Sequence, residues 1–161
     1  STTTQIDVVT MRLGGEWIAL PADCLREILE PVAVTRVPHA QPFSNGLINV
    51  RGVVVPLTDL RVSFGMPPVE ATEDTRMLVL DVPLDGETLT VAITADKVHE
   101  VTTLDVSELD EVPSVGLRWP PEYVRGIGKQ QDEFLLVPDL EAIFQQFSPD
   151  GPAQKQNEEG S

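Results

Sequence analysis

Short runs of alternating apolar and polar residues cover most of this chain, and period-two alternation is the pattern of half-buried β-strands. The runs are separated by Gly, Pro, Asn and Asp, which favour turns. They predict strands over residues 5–13, 16–20, 27–37, 46–50, 53–57, 77–82, 88–94, 99–104, 123–127 and 134–137. The strand at 27–37 contains Pro31 and is expected to be bent or to lie at a sheet edge.

Turn and helix signals occupy the remaining sequence. Gly14-Gly15 and Asp85-Gly86 each predict a tight two-residue hairpin turn. Apolar residues recur at helical spacing over 140–147, which predicts a short amphipathic helix. The final segment, 148–161, reads SPDGPAQKQNEEGS; it is polar and rich in Pro and Gly, so we expect a disordered tail.

An internal repeat narrows the fold class. Many short strands, with 14 Pro and 11 Gly in 161 residues, favour an all-β barrel or sandwich. Residues 18–29 match 91–102, and downstream Val50-Arg51-Gly52 matches Val124-Arg125-Gly126, which indicates two copies of one supersecondary unit. The sequence therefore predicts two similar SH3-like barrels, packed against each other with a groove between them.

Composition and charge restrict the partners. The formal net charge is −15, so the chain should repel nucleic acid and anionic lipid and prefer partners that present Lys or Arg. No apolar run approaches the roughly 20 residues that span a membrane. The N-terminus lacks the basic and apolar regions of a signal peptide, and the single Cys24 excludes an internal disulfide, so we expect a cytoplasmic location.

Catalytic and metal-site signatures are missing from the sequence. His39 and His99 do not have the spacing of a metal site, and no phosphate-binding or nucleophile-elbow motif occurs. Asp23 and Asp96 recur in both copies after a strand and are interpreted as turn caps that bind nearby backbone N–H groups. We expect no enzyme activity, no cofactor and no metal.

Arg51 is the residue that requires an explanation, because it lies within the apolar run GLINVRGVVVPLTDL. If β-alternation continues from residue 46, Asn49 and Arg51 point outward. An outward Arg in apolar surroundings is typical of an interface hot spot. The alternative is a structural ion pair with Glu27, Glu30 or Asp59, and both readings remain open; for Arg125 a structural role is favoured.

Four segments together resemble the CheW family of chemotaxis coupling proteins. The first is NGLINVRGVVVPLTDLRVSFG, whose pattern is the family signature; the others are IALPADCLREILEP, VAITADKVHEVTTL and YVRGIGKQQDEFLLVPDLEAIF. The resemblance covers 5–147, leaving 148–161 as the tail. It implies an all-β domain of two interleaved, five-stranded SH3-like barrels with a short C-terminal helix.

The resemblance also implies a function without catalysis. Family members are adaptors that bind the cytoplasmic hairpin tip of chemoreceptors and the regulatory domain of the CheA histidine kinase, in membrane-attached arrays on the cytoplasmic side. Carried over by position, the receptor-binding residues would be Leu25, Glu27, Ile28, Gly46, Asn49, Arg51 and Val101. Gly46 would let a partner helix approach closely; no kinase-binding residue is assigned.

Two other readings stay open from the sequence. The protein could couple a related chemosensory pathway, such as surface motility, because pathway identity lies in the partners. It could instead bind a small molecule between the barrels, which would require a deep polar pocket there.

Overall fold

Two β-sheets and a few short helical segments make up the part of the chain that the computed structural model describes, residues 4–36, 46–63, 66–67, 69–111, 120–130 and 133–145. The strands are β1 (Gln5–Leu13), β2 (Glu16–Pro21), β3 (Leu25–Leu29), β4 (Thr35–Arg36), β5 (Gly46–Val50), β6 (Val53–Thr58), β7 (Arg76–Leu84), β8 (Glu87–Ala95), β9 (Lys97–Asp105), β10 (Val124–Gln130) and β11 (Glu133–Pro138). The α-helices are α1 (Leu60–Ser63) and α2 (Leu140–Phe144), and 3-10 turns span Ala22–Cys24, Val106–Glu108 and Pro121–Tyr123.

The strand order confirms the predicted all-β fold of two packed SH3-like barrels. One sheet has five strands in the order β10-β11-β2-β1-β9, and the other has six in the order β3-β7-β8-β6-β5-β4. The sixth strand, β4, has only two residues. The five-stranded sheet combines both ends of the described chain, whereas the six-stranded sheet comes from the middle, so the two barrels are interleaved.

Three apolar clusters show how the barrels depend on each other. The largest draws on both sheets and both α-helices, and contains Val9, Met11, Leu13, Ile18, Leu20, Leu60, Met66, Leu78, Leu80, Val82, Leu84, Val91, Ile93, Ala95, Val124, Leu136, Leu140, Ile143 and Phe144. Each sheet also has a smaller cluster of five buried residues. Because the shared cluster is the largest, most apolar burial depends on both sheets being present together.

The repeat is present, but one of its predicted correspondences is wrong. Gly46 pairs with Leu57 in the β5–β6 hairpin, as Gly126 pairs with Val137 in the β10–β11 hairpin. In both copies an Asp then caps a short helix: Asp59 Oδ1 accepts from the backbone N–H of Arg61, and Asp139 Oδ1 from that of Ala142.

This register separates two arginines that the sequence had aligned. Arg51 lies in the turn between β5 and β6, whereas Arg125 lies within strand β10. They are not equivalent, because the strand pairing matches Gly126 to Gly46: Arg125 directly precedes that position, whereas Arg51 follows it by five residues. Arg125 therefore says nothing about the role of Arg51.

Two local predictions also need correction. The single bent strand at 27–37 is two strands, β3 and β4, at opposite edges of the six-stranded sheet. Pro31 has no N–H to donate to a ladder, and the exposed residues around it connect the two edges. Helix α1 was not predicted, because four residues are too few to display helical periodicity. The predictions for His39, for the end of the helix at Phe147 and for 148–161 lie outside the described residues.

A nearly buried guanidinium follows the family signature's last strand. The Arg61 side chain is only 9% exposed. Its Nε and Nη2 donate to the two carboxylate oxygens of Asp59 at 2.9 and 3.0 Å, and its Nη1 donates to Asp96 Oδ1 at 2.9 Å. The hydrogen bond to Asp59 is the main cause that raises the pKa of Arg61, against the opposing effect of burial.

Asp96 connects this cluster to the other sheet. Its second oxygen, Oδ2, accepts from the backbone N–H of Gly14 at 2.8 Å, in the β1–β2 turn. Its own N–H donates to the carbonyl of Arg12 at 2.9 Å. The predicted cap by Asp96 on nearby N–H groups is therefore wrong: the carboxylate binds distant parts of the chain and joins the two sheets.

The edge of the six-stranded sheet explains the glycine at the start of β5. Gly46 is buried, and an added Cβ would lie 2.3 Å from Cγ1 of Val34 and 3.3 Å from the carbonyl oxygen of Thr35. The close approach predicted for a partner helix at Gly46 is thus made by the protein's own chain, at the entry to β4. Any larger residue there must displace Val34.

We predict that Arg61→Met lowers the free energy of unfolding by about 2–4 kcal/mol, because two largely buried carboxylates lose their counter-charge. Urea unfolding followed by circular dichroism measures it. The matched control is Arg26→Met, whose partner Asp81 is 3.4 Å away and whose side chain is 61% exposed; an exposed pair should contribute less than about 1 kcal/mol. Equal losses in both variants would contradict the structural role of Arg61.

We predict that Gly46→Ala lowers the free energy of unfolding by about 1–3 kcal/mol, since the new methyl group overpacks against Val34. In a Val34→Ala background the same substitution should cost much less. A thermodynamic cycle over the four proteins gives the coupling energy. If Gly46→Ala lowered the free energy of unfolding as much in the Val34→Ala background as in the wild type, Val34 would not be the obstacle.

Candidate functional site

The tip of the β5–β6 hairpin presents Arg51 to solvent. Arg51 and Gly52 form the turn, both with positive φ (53° and 85°). Asn49 is on the exposed face of β5, and its Oδ1 accepts a hydrogen bond from the Gly52 N–H at 2.8 Å. The Arg51 side chain is 81% exposed. The predicted outward direction of Asn49 and Arg51 is therefore correct, although strand alternation does not explain it for Arg51, which lies in the turn between the two strands.

Glu27 is the acid that pairs with Arg51. Nη2 of Arg51 lies 2.5 Å from Oε1 of Glu27, whose side chain is 22% exposed. Strand β3 has an irregularity between Leu25 and Glu27 in its pairing with β7, and such bulges redirect side chains. Of the three proposed acids, the structure selects Glu27; Asp59 is engaged by Arg61 instead. The pair is too exposed to add much stability.

Apolar groups surround the ion pair. A cavity of about 180 Å³ lies beside it, lined by Arg26, Glu27, Val50, Arg51, Val53, Val55, Val79 and Thr90. Val53, directly after the turn, lines this cavity and is 61% exposed; Ile28, the residue after Glu27 on β3, is 44% exposed. We name Ile28, Glu27, Arg51 and Val53 the hairpin patch. A charged fork with apolar neighbours is suited to a protein partner that supplies both a carboxylate and apolar contacts.

The predicted site residues do not all belong to this patch. Leu25 is half-buried and packs against the shared core, on the same strand as Glu27 and Ile28. Gly46 is buried at the opposite end of β5 from the turn. Val101 is 63% exposed but lies on β9, the outer strand of the other sheet. The structure thus brings Glu27 and Arg51 into direct contact, with Ile28 and Asn49 on the same two elements.

Val53 was missed by the sequence reasoning, which treated the valine run after Gly52 only as a strand. The signal was available: a two-residue turn at Arg51-Gly52 places Val53 directly opposite Val50, next to the arginine. An apolar residue that borders an exposed turn arginine is a natural part of a contact surface.

The rest of the described chain contains no arrangement of side chains that would form a catalytic site. Two open cavities, of 350 and 650 Å³, meet at Cys24 and Arg125. Burial is the main cause that raises the pKa of the Cys24 thiol, with Asp23 and Asp81 adding to it. A raised pKa keeps the thiol protonated and a poor nucleophile. The described residues contain no group of three or more His, Cys, Asp or Glu side chains arranged to hold a metal ion.

Trp17, His99 and Arg12 form a small cluster on the five-stranded sheet. Trp17 packs at the margin of that sheet's small apolar cluster, with the His99 ring 4.4 Å away and the Arg12 guanidinium 4.9 Å away. His99 is an exposed residue of strand β9. Partial burial, followed by the charges of Lys97 and Arg12, lowers the pKa of His99. Among the described residues, no helix is long and apolar enough to cross a membrane.

Comparison with known proteins gives the same family from sequence and structure. The family model described as CheW-like domain matches residues 7–148. Chemotaxis protein CheW of Klebsiella aerogenes is 31% identical over 132 residues, covering 82% of this chain and 77% of that protein. Chemotaxis protein CheW of Bacillus subtilis is 27% identical over 141 residues, covering 88% of each.

A solved structure supports the same assignment. The scaffolding protein TtCheW from Thermoanaerobacter tengcongensis superposes with a TM-score of 0.76 at 26% identity, covering 89% of this chain and 90% of that one. Sequence family, relatives and fold therefore agree over nearly the whole described chain. This chain belongs to the CheW-like family of non-catalytic chemotaxis coupling proteins.

Proposed function

We propose that this protein joins the cytoplasmic hairpin tip of a chemoreceptor to the regulatory domain of the CheA histidine kinase, in the cytoplasm at membrane-attached receptor arrays. The observation that carries the receptor part is the hairpin patch, in which the Arg51–Glu27 pair lies beside exposed Val53, and exposed Ile28 follows Glu27 on strand β3. Family membership supports the pathway, since the relatives are chemotaxis proteins.

The hairpin patch has donors left over for a partner. A guanidinium carries five N–H donors in a planar fork, and the contact with Glu27 is made through one terminal nitrogen of Arg51. The remaining donors face solvent, because the side chain is 81% exposed. The matching surface on a receptor hairpin tip should therefore present a carboxylate with apolar side chains beside it.

Electrostatics favours the same arrangement. The chain carries a net charge of −15, so an exposed cation such as Arg51 differs in sign from most of the surface. Charge of this kind sets the orientation and partner choice of a complex more than its total affinity. The acidic surface elsewhere is complementary to basic partner surfaces, on the kinase among others.

The alternative of a small-molecule site is not supported at the hairpin patch; the two cavities at Cys24 and Arg125 have the volume of ligand pockets, but they are open. The cavity beside Arg51 has a volume of about 180 Å³. Ligand pockets usually enclose about 300–1,000 Å³. A related chemosensory pathway remains compatible with every residue of the patch, because the same chemistry would recognise another receptor of the same class.

We predict that Arg51→Glu weakens binding of a receptor cytoplasmic fragment at least tenfold, because it places a second carboxylate beside Glu27 and removes the donor fork. The melting temperature should change by only a few degrees, since the native pair is exposed. Isothermal titration calorimetry and thermal melts provide both measurements.

The matched control for that experiment is Arg125→Glu. It makes the same change in charge at another exposed arginine, on β10 of the other sheet. Its receptor affinity should stay within about twofold of the wild type. Equal weakening by both variants would mean that net charge, and not the hairpin patch, determines binding.

We further predict a ternary complex in a pull-down with the receptor fragment and the kinase regulatory domain. Arg51→Glu should lose the receptor fragment while retaining the kinase domain, on the proposal that the kinase domain binds outside the hairpin patch. Loss of both partners from a variant that still melts normally would contradict separate surfaces.

A further inference from the structure

The β5–β6 turn contains an arginine where the backbone favours a different residue. Both central residues have positive φ in the three two-residue hairpin turns within the described chain: Gly14-Gly15, Arg51-Gly52 and Asp85-Gly86. The first position of such a turn favours Asn, Asp or Gly. Two of the turns follow that rule, and Arg51 departs from it. The turn therefore needs support from elsewhere to hold Arg51 in this conformation.

Asn49 supplies that support. Its side-chain oxygen accepts the Gly52 N–H at 2.8 Å, which ties the second turn residue back to the strand that leads into the turn. The residues at the same distance before the other two turns are Arg12 and Pro83. Neither has a side-chain oxygen that can accept a hydrogen bond. Of these three turns, the one that contains the strained Arg51 is therefore the one with this side-chain hydrogen bond.

We infer that Asn49 is a positioning residue that acts through Arg51 rather than by touching the partner. By fixing Gly52, it holds Arg51 in the left-handed conformation from which the guanidinium reaches Glu27. The remaining donors of the guanidinium are then directed to solvent, in place for a partner carboxylate. The inference rests on the proposed receptor-binding function, and it replaces the earlier assignment of Asn49 as a direct receptor contact.

Non-additivity distinguishes positioning from direct contact. The affinity for a receptor cytoplasmic-tip fragment is measured for the wild type, Asn49→Ala, Arg51→Ala and the double variant. Arg51→Ala should weaken binding at least tenfold, and Asn49→Ala about fivefold, the scale of one lost hydrogen bond. The double variant should match Arg51→Ala within twofold. If the double variant bound about fivefold more weakly than Arg51→Ala, the inference would be overturned, because Asn49 would then contribute to binding without Arg51.

Conservative variants add a control on chemistry. Asn49→Asp keeps an acceptor oxygen at the same place and should retain affinity within about twofold. Asn49→Leu has a similar size but no acceptor and should behave as Asn49→Ala does. If Asn49→Leu bound as well as Asn49→Asp, the hydrogen bond to Gly52 would not be the cause.

NMR of the free protein tests the inference without any partner. In Asn49→Ala, amide exchange at Gly52 should accelerate, and nuclear Overhauser contacts between the side chains of Arg51 and Glu27 should disappear. Asn49→Asp should preserve both signals. If the wild type bound no receptor fragment, the proposed function would fail while this comparison still decided the role of Asn49. If the contacts between the side chains of Arg51 and Glu27 persisted unchanged in Asn49→Ala, the inferred positioning role of Asn49 would be overturned.

Discussion

The ion cluster of Arg61, Asp59 and Asp96 is the constraint that holds the two barrels in one arrangement. A guanidinium that is 9% exposed can be accommodated only if its charge is matched, and the two carboxylates on either side provide the match. Asp96 also accepts the N–H of Gly14, so one carboxylate joins the start of α1 to the β1–β2 turn of the other sheet. Apolar contact between the sheets is much larger in area, but it is not directional. The hydrogen bonds of this cluster specify how the two sheets meet.

The hairpin patch differs from this cluster in how far its arginine is exposed to solvent. Both contain an arginine with a carboxylate partner, yet the exposed fraction of the side chain is 9% for Arg61 and 81% for Arg51. Burial makes the first pair a determinant of the fold, whereas exposure leaves the second with little effect on stability and with donors free for another molecule. The chain thus uses the same two side-chain chemistries for two purposes, and burial decides between them.

The sequence was sufficient for most of the strands, because alternation and Gly-containing turns are local signals that the folded protein retains. It identified Arg51 as unusual and named Glu27 among its possible partners. It ended one strand at residue 50 and began the next at 53, which leaves Arg51 between them, but it inferred the direction of Arg51 by continuing the strand alternation. It also missed the partners of Asp96, because Gly14 and Arg61 are distant in the sequence and are brought together only by packing. The blocked space at Gly46 depends on Val34, which reaches it through β4 pairing with β5. Such contacts arise from the tertiary structure, and the spacing of apolar and polar residues along the sequence cannot predict them.

The interleaved order of the strands has a consequence for how the chain reaches this structure. All strands of the six-stranded sheet lie between β2 and β9 in the chain, so that sheet can assemble from a continuous segment. The five-stranded sheet cannot, because β1 must pair with β9 across the entire intervening unit. Closing so long a loop loses entropy before any contact compensates for it, and folds with many such distant pairings form slowly. During synthesis, the middle barrel can therefore fold completely before β9, β10 and β11 have left the ribosome, whereas β1 and β2 cannot complete their sheet until then.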